Sequence, residues 1–233
     1  MKVMTTIPTY NESKNIRELI ERILALGQNI ELVVADDNSP DGTWQVVAEM
    51  SRLHSHVHLL HRTENKGRGS AGKDAFQYAI AQGADLIIEM DGDLSHDPRF
   101  IPLLIEQSKM YDVVIGSRYI AGGKDLRSSA LRRWVSRISN WYSRKLLGLK
   151  VLDCNSGFRC FKRKVFESIN PLSLKSTGPS IVHELLYRAF KEGFIIGEAP
   201  IEFVDRKHDQ SKLTFKRLLN GMWMVLKIRQ GIV

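Results

Sequence analysis

Leu86-Ile87-Ile88-Glu89-Met90 runs directly into Asp91-Gly92-Asp93-Leu94-Ser95-His96-Asp97-Pro98. The first five residues form an apolar run with no polar alternation, which marks a strand covered on both faces, the kind found in parallel sheets between helix layers. Two carboxylates then follow at the strand's carboxyl end, where open α/β sheets bind their ligands. Hard divalent cations take oxygen donors, commonly one or two carboxylates completed by substrate phosphates. Asp91 and Asp93 with Gly92 between them offer such a donor pair and a close backbone approach. A solvated Asp-Gly-Asp turn has the same sequence and stays open on the residues alone.

The rhythm extends in both directions. Val3–Ile7 is a short apolar run closed by Pro8, and Ile16, Leu19, Ile20, Ile23 and Leu24 recur at helical spacing. Glu31–Ala35 predicts a second strand ending at Asp36-Asp37, and Thr43–Leu53 a helix. Val57–Leu60, Ala71–Ala81, Phe100–Lys109 and Val113–Ile115 continue as strand, helix, helix and strand. The pattern predicts an α/β fold with a mostly parallel central sheet and helices on both faces. Its ligand-bearing segments are then Pro8–Glu12, Asp36–Gly42, Arg62–Gly69 and Asp91–Asp97. Beyond residue 117 the alternation changes: Arg127–Leu147 reads as a long basic helix or helix pair, and Asn155–Phe161 as a strand. Ile181–Glu192 reads as a helix, Phe194–Ile196 and Ile201–Val204 as short strands, and Phe215–Ile228 as a closing helix. Without a linker or repeat, the expectation is one domain over 1–233, with residues 1–117 forming a nucleotide-binding half and 118–233 a distinct C-terminal portion.

Composition bounds the partners. The 233 residues are 43% hydrophobic with a formal net charge of +8. Nucleic acid, an anionic membrane face and phosphate-bearing substrates all fit that excess, as does a merely solubilising surface. Recognisable nucleic-acid motifs are missing, so nucleic acid is not expected as a partner. Cys154 and Cys160 are too few for a zinc site or a disulfide framework, and read as free thiols in a reducing compartment. The apolar run at the N-terminus is too short for a signal peptide's core, and no uncharged run approaches the ~20 residues of a spanning helix. Leu131, Trp134, Val135, Ile138, Trp141 and Tyr142 nonetheless fall at helical spacing among arginines, the profile of an interfacial helix as well as of a core one.

Two motifs compete for phosphate. Gly67-Arg68-Gly69-Ser70-Ala71-Gly72-Lys73-Asp74 nearly spells a P-loop, but Asp74 replaces the hydroxyl that coordinates magnesium. A basic, glycine-rich phosphate-positioning loop or a flexible turn fits better. Asp36-Asp37 reads either as an acceptor for a nucleotide's base or ribose or as the Asx-turn partner of the Ser39–Gly42 loop.

Taken together, Ile7-Pro8-Thr9-Tyr10-Asn11-Glu12, Asp36 to Thr43 and Asp91 to His96 resemble glycosyltransferase family 2, of GT-A fold, and within it the dolichyl- and polyprenyl-phosphate mannosyltransferases. Gly116-Ser117-Arg118-Tyr119, Arg132 with Ser136, Asp153 with Ser156-Gly157-Phe158-Arg159, and Phe203 to Arg206 with Ser211-Lys212-Leu213 carry the resemblance across nearly the whole chain. The resemblance implies nucleotide-sugar contacts at Pro8, Tyr10, Glu12, Ala35, Asp37, Asp91, Gly92, Asp93, Arg118, Arg206 and Lys212, the last two toward the diphosphate. It implies Mg²⁺ or Mn²⁺ on Asp91, Asp93 and Ser95, and an acceptor phosphate on Arg118, Arg132 and Ser136. Asp91, Asp93, Arg118, Arg206 and Lys212 would carry catalysis. Its implied partners are GDP-mannose, a polyprenyl or dolichyl phosphate, a membrane's cytoplasmic face touched peripherally, and a membrane-anchoring subunit. Other donors such as UDP-glucose, a hydroxyl acceptor, a nucleotidyltransferase activity and a non-catalytic binding subunit are the alternatives. A hydroxyl acceptor would need a base, for which Asp153 and Glu184 are the candidates. Three departures stand out: Gly92 replaces a usual alanine, which should matter little; Val182-His183-Glu184 replaces a Gln-x-Glu; and Asp209-Gln210 precedes Ser211-Lys212-Leu213 where Gly-Glu is usual.

Overall fold

The computed structural model describes residues 1–27, 30–206 and 215–232. In chain order these form β1 (Val3–Thr9), α1 (Ile16–Leu24), β2 (Ile30–Asp36), α2 (Thr43–Leu53), β3 (Val57–His61), α3 (Arg68–Ala81), β4 (Leu86–Glu89), α4 (Ile101–Gln107) and β5 (Val113–Ser117). Then come β6 (Lys124–Asp125), α5 (Ala130–Leu147), β7 (Arg159–Lys162), α6 (Arg163–Ser168), α7 (Ile181–Lys191), β8 (Ile196–Pro200), β9 (Glu202–Phe203) and α8 (Phe215–Arg229). Seven strands make one sheet in the order β3-β2-β1-β4-β7-β5-β8. Every pairing in it is parallel except those of β7 with β4 and β5. β6 and β9 form a separate parallel pair.

The apolar runs are buried on both faces because alternate side chains feed different cores. Val3, Ile7, Leu32, Val34, Ile88 and Val114 pack with Ile16, Leu19, Ile23, Val47, Met50 and Leu104 from α1, α2 and α4. Met4, Val33, Ala35, Ile87, Val113 and Ile115 pack on the other side with Ala75, Phe76 and Ala79 of α3, Leu185 and Leu186 of α7, and Val225 and Ile228 of α8. That two-sided burial explains the missing polar alternation.

Most expected elements are present, with local shifts. The 155–161 segment is extended only from Arg159; residues 153–158 are loop. β8 lies at Ile196–Pro200 rather than Phe194–Ile196, and the helix expected from Phe100 is a 3₁₀ turn at Pro98–Phe100 followed by α4. α3 begins at Arg68, three residues before the predicted start at Ala71. Arg127–Leu147 resolves to one helix, α5, capped by Ser129, whose Oγ accepts the Arg132 amide. On α5, Leu131, Trp134, Ile138 and Trp141 are 69%, 62%, 41% and 60% exposed, so this stripe is surface and not core. Among the described residues no helix is long and apolar enough to cross a membrane. Both cysteines are free and buried, and burial pushes each thiol up to about 12.

Candidate active site

The carboxyl ends of β1, β2 and β4 open into one cleft of about 380 Å³. Sheet order sets its layout. Pro8, Thr9, Tyr10, Glu12 and Asp37 line the β1–β2 end, and Asp91, Gly92 and Asp93 lie beside them with Arg68 and Arg206. Ala71, Asn155, Gly157, Pro179, Val182 and His183 line the far end. Tyr10, 55% exposed, presents its ring at the mouth.

Each carboxylate of the central pair is matched to an arginine. Arg68 Nη2 lies 2.7 Å from Asp91 Oδ1, and Arg206 Nε lies 2.6 Å from Asp93 Oδ2. Asp93 Oδ1 also accepts the Ser95 amide at 3.0 Å and the Ser95 hydroxyl at 2.5 Å, which fixes the carboxylate's rotamer. Burial pushes the Asp91 carboxyl up, yet Arg68, His96 and Arg206 outweigh it and hold the group well below the usual carboxylate range. Asp91 is therefore anionic at any physiological pH. Burial disfavours the charged Arg68, and Asp91 with Glu89 more than restores it.

Whether these residues fit a divalent ion follows from the donor set. Among the described residues no three histidine, cysteine or acidic side chains converge as a metal cluster, so an all-protein cage does not fit. Two hard carboxylates facing a cleft fit an ion whose remaining ligands are phosphates and water. The Arg68 hydrogen bonds to Asp91 both fall on Oδ1 and leave Oδ2 out of that pairing, with His96 Nδ1, buried and without a hydrogen-bond partner among the described residues, 4.0 Å away. Backbone crowding holds the pair in place. A Cβ on Gly157 would sit 3.2 Å from Asp91 Oδ2 and 2.9 Å from Arg68 Nη2. A Cβ on Gly92 would sit 2.8 Å from the Thr9 methyl, so alanine there forces a shift, contrary to the expectation that the change matters little.

The two aspartates ending β2 have separate tasks. Asp36 accepts hydrogen bonds from Thr9 Oγ1, the Ser39 amide and Ser39 Oγ, and is wholly buried turn chemistry. Asp37 faces the cleft, accepts the Gly67 amide at 2.7 Å, and pairs with Arg62, whose Nε bonds Asp74 Oδ2 at 2.7 Å. Asp74, the residue that spoils the P-loop, thus steadies Asp37 through Arg62. The glycine-rich loop is not a phosphate cradle: the Gly69 and Ser70 amides both donate to the Thr177 carbonyl. Its contributions to the cleft are Arg68 and Ala71.

Several expected site residues lie elsewhere. Ala35 is wholly buried in the core beneath α3 and does not line the cleft. Arg118 is buried too, donating from Nε and Nη2 to the two oxygens of Asp153 at 2.7 Å each, and it lines a second cavity of about 430 Å³ with Arg137, Trp141 and Arg144. Ser136 joins that neighbourhood, its Oγ 3.1 Å from the Tyr119 hydroxyl, while Arg132 sits one turn earlier on α5. Lys212 and the loop around it lie outside the described residues.

Both candidate bases have structural employment. Asp153 is fully buried against Arg118. Glu184, 1% exposed, accepts the Lys175 and Ser176 amides and pairs with Arg188 at 2.7 Å. Four cleft-side residues, Arg62, Arg68, Asn155 and His183, are not singled out as site residues by the sequence. Arg62 and Arg68 fall within the strand-end segment Arg62–Gly69, which is the one signal pointing to them. Asn155 and His183 carry none, because an apparent strand and a helix face hide them.

Comparison with known proteins agrees with this geometry. The sequence pattern of Glycosyl transferase family 2 matches residues 5–169. The chain is 34% identical to an undecaprenyl-phosphate mannosyltransferase of Micrococcus luteus, over 92% of this chain and 88% of that protein. It is 34% identical to a polyprenol monophosphomannose synthase of Mycolicibacterium smegmatis, over 96% and 85%. It is 38% identical to a dolichol-phosphate mannosyltransferase of Pyrococcus furiosus, over 98% of this chain but 64% of that longer protein. Among solved structures, glucosyl-3-phosphoglycerate synthase of Mycobacterium tuberculosis, crystallised with Mn²⁺, UDP and glucosyl-3-phosphoglycerate, superposes with TM-score 0.68 at 22% identity, covering 99% of this chain and 80% of that one. That likeness establishes the GT-A architecture, and the sequence matches go further: the chain belongs to glycosyltransferase family 2.

Proposed function

We propose that this enzyme transfers mannose from GDP-mannose to a polyprenyl or dolichyl phosphate, with Mg²⁺ or Mn²⁺ on Asp91 and Asp93. The observation that carries the reading is the carboxylate pair set between Arg68 and Arg206 at the middle of the cleft. It separates a nucleotide end, with Tyr10, Glu12 and Asp37, from the α7 end where the hexose would lie. Tyr10 offers a stacking face for the base, and Asp37 an acceptor for base or ribose. A bound divalent ion would act as a Lewis acid on the departing diphosphate. Arg68 and Arg206 place guanidinium charge beside that group, and Ser95 keeps Asp93 oriented. Lys212 is proposed to add a further cation.

The acceptor's phosphate monoester is already largely dianionic at neutral pH, its second pKa being ~6. No base is then required, which agrees with the full engagement of Asp153 and Glu184. A phosphate oxygen attacks C1 of the sugar while the C1–O bond to GDP breaks and its electron pair leaves on the diphosphate, inverting the anomeric centre. Arg118, Arg132 and Ser136 are proposed to orient the acceptor, and the exposed stripe of α5 to rest on the cytoplasmic face of a membrane. In the test, labelled GDP-mannose, UDP-glucose and UDP-GlcNAc are offered with a polyprenyl phosphate and Mn²⁺. Label from GDP-mannose should enter the lipid phase with release of GDP, and an Arg118→Ala, Arg132→Ala double variant should lose at least about 100-fold. Release of pyrophosphate instead would identify a nucleotidyltransferase, and an unimpaired double variant would remove the acceptor assignment.

A further inference from the structure

The α7 end of the cleft is apolar where Ala71, Pro179 and Val182 line it, and carries one prearranged polar contact. His183 Nε2 lies 2.6 Å from Asn155 Oδ1, and its Nδ1 is buried with no hydrogen-bond partner among the described residues. The direction of the Nε2 contact follows from Asn155. That side chain's Nδ2 donates to Ser139 Oγ at 2.9 Å, and its backbone amide is held by Asn140 Oδ1 at 3.0 Å, so Oδ1 is the acceptor facing the histidine. The imidazole proton is then on Nε2, and a neutral ring leaves Nδ1 as a bare lone pair. Burial first, and then the Arg159 charge, hold His183 down to about 3, far below its ordinary range, so the ring is neutral at pH 7.

The pair is held rigidly. Arg159, fully buried, donates from Nε to the Ser156 carbonyl and from Nη2 to the Cys154 carbonyl, each at 2.7 Å, and from Nη1 to the Val182 carbonyl. One guanidinium thus ties both sides of Asn155 to the first turn of α7, immediately before His183. Buried polar atoms without partners are uncommon, because such a group keeps its desolvation cost while unsatisfied. His183 lines the cleft, so a ligand whose binding brings a hydroxyl to Nδ1 relieves that cost and a ligand lacking one does not.

We infer that His183 is a sugar-specificity residue, whose Nδ1 accepts a hydrogen bond from one hydroxyl of the transferred hexose. The inference rests on the nucleotide-sugar reading above, and places the hexose between the aspartate pair and α7. Arg159 is its positioning residue, acting through the Asn155–His183 pair.

The test uses GDP, GDP-mannose and its 2-, 3-, 4- and 6-deoxy analogues with the wild type, His183→Leu and His183→Gln. In the wild type, one deoxy position should lower affinity by about 10-fold or more. In His183→Leu that penalty should vanish, while GDP affinity stays within about twofold and His183→Gln recovers part of the discrimination. Nitrogen-15 NMR of the wild type should show an unprotonated Nδ1 at pH 7 that shifts with GDP-mannose and not with GDP. A loss in His183→Leu that is equal for every analogue, or a proton on Nδ1, would overturn the inference while leaving the donor reading intact. If the wild type binds neither GDP-mannose nor UDP-glucose, the donor reading itself fails and the inference goes with it.

Discussion

The two walls of the cleft are built differently. The first is made at the carboxyl ends of β1, β2 and β4, where Pro8 to Glu12, Asp37 and Asp91 to Asp93 each follow a buried strand within a few residues. The second is assembled from the 153–158 loop, the approach to α7 and Arg206, segments far apart in sequence. What positions the first wall is the sheet. What positions the second is a set of buried polar side chains: Arg159 on three carbonyls, Asp153 on Arg118, and Glu184 on the Lys175 and Ser176 amides. Changes on the first wall should therefore cost chemistry before stability, and changes in the second wall's supports should cost stability first.

The largest effect expected is on the first wall. Asp91→Asn should lower kcat/KM by about 1,000-fold or more, a loss on the scale of removing a principal charge stabiliser. Its urea midpoint should move little, because Arg68 keeps Glu89 as a partner and the strand beneath is unaffected. Asp153→Ala is the counterpart on the second wall. It leaves the buried Arg118 guanidinium without its carboxylate, and chemical denaturation should show a loss of about 3–5 kcal/mol. An Asp153→Ala protein as stable as wild type would erase the distinction between the walls.

Gly92→Ala brings a methyl to 2.8 Å from the Thr9 methyl within the first wall. A cost of about 1–3 kcal/mol in overpacking is expected, recovered in part by adding Thr9→Ser, which removes that methyl and keeps the hydroxyl bonded to Asp36. Equal stability of the single and double variants would show that the backbone relaxes freely there.

The smallest effect is in pH dependence. The folded His183 titrates at about 3, below the ordinary histidine range near 6.5, so between those values the unfolded chain binds the extra proton. Stability contributed by this group is complete above about 6.5 and declines as pH falls toward 3, by at most about 1.4 kcal/mol per pH unit. His183→Gln should flatten the fall in urea midpoint between pH 7 and pH 4.5; an unchanged slope would mean that His183 is not held neutral.

The same contrast decides how much of the molecule is legible in its sequence. Apolar runs such as Leu86–Met90 announce their strands, and a carboxylate just past a strand end has few places to go, so the order of residues alone suffices to place Asp37, Asp91 and Asp93. Residues contributed laterally are not announced in this way. Arg68 is hidden in a motif that looks like a failed P-loop, and only the earlier start of α3 aims it at Asp91. Arg62 and Asp74 sit twelve residues apart with no local pattern joining them. Asn155 lies in a loop that apolar composition disguises as strand, and His183 fills the unspecified middle position of the Gln-x-Glu pattern, where the departure is Val182. Ala35 shows the converse: the family resemblance implies a nucleotide contact there, while strand alternation turns it into the core.

A divalent ion held by Asp91 and Asp93 against the donor's diphosphate, as proposed, must bind in linkage with the nucleotide. Mn²⁺ binding is followed by electron paramagnetic resonance with and without GDP, in the wild type and in Asp91→Asn. GDP should tighten Mn²⁺ by about 10-fold or more, Mn²⁺ should tighten GDP by the same factor, and Asp91→Asn should abolish the coupling. GDP binding to the wild type with equal affinity in Mn²⁺ and in EDTA would contradict the claim.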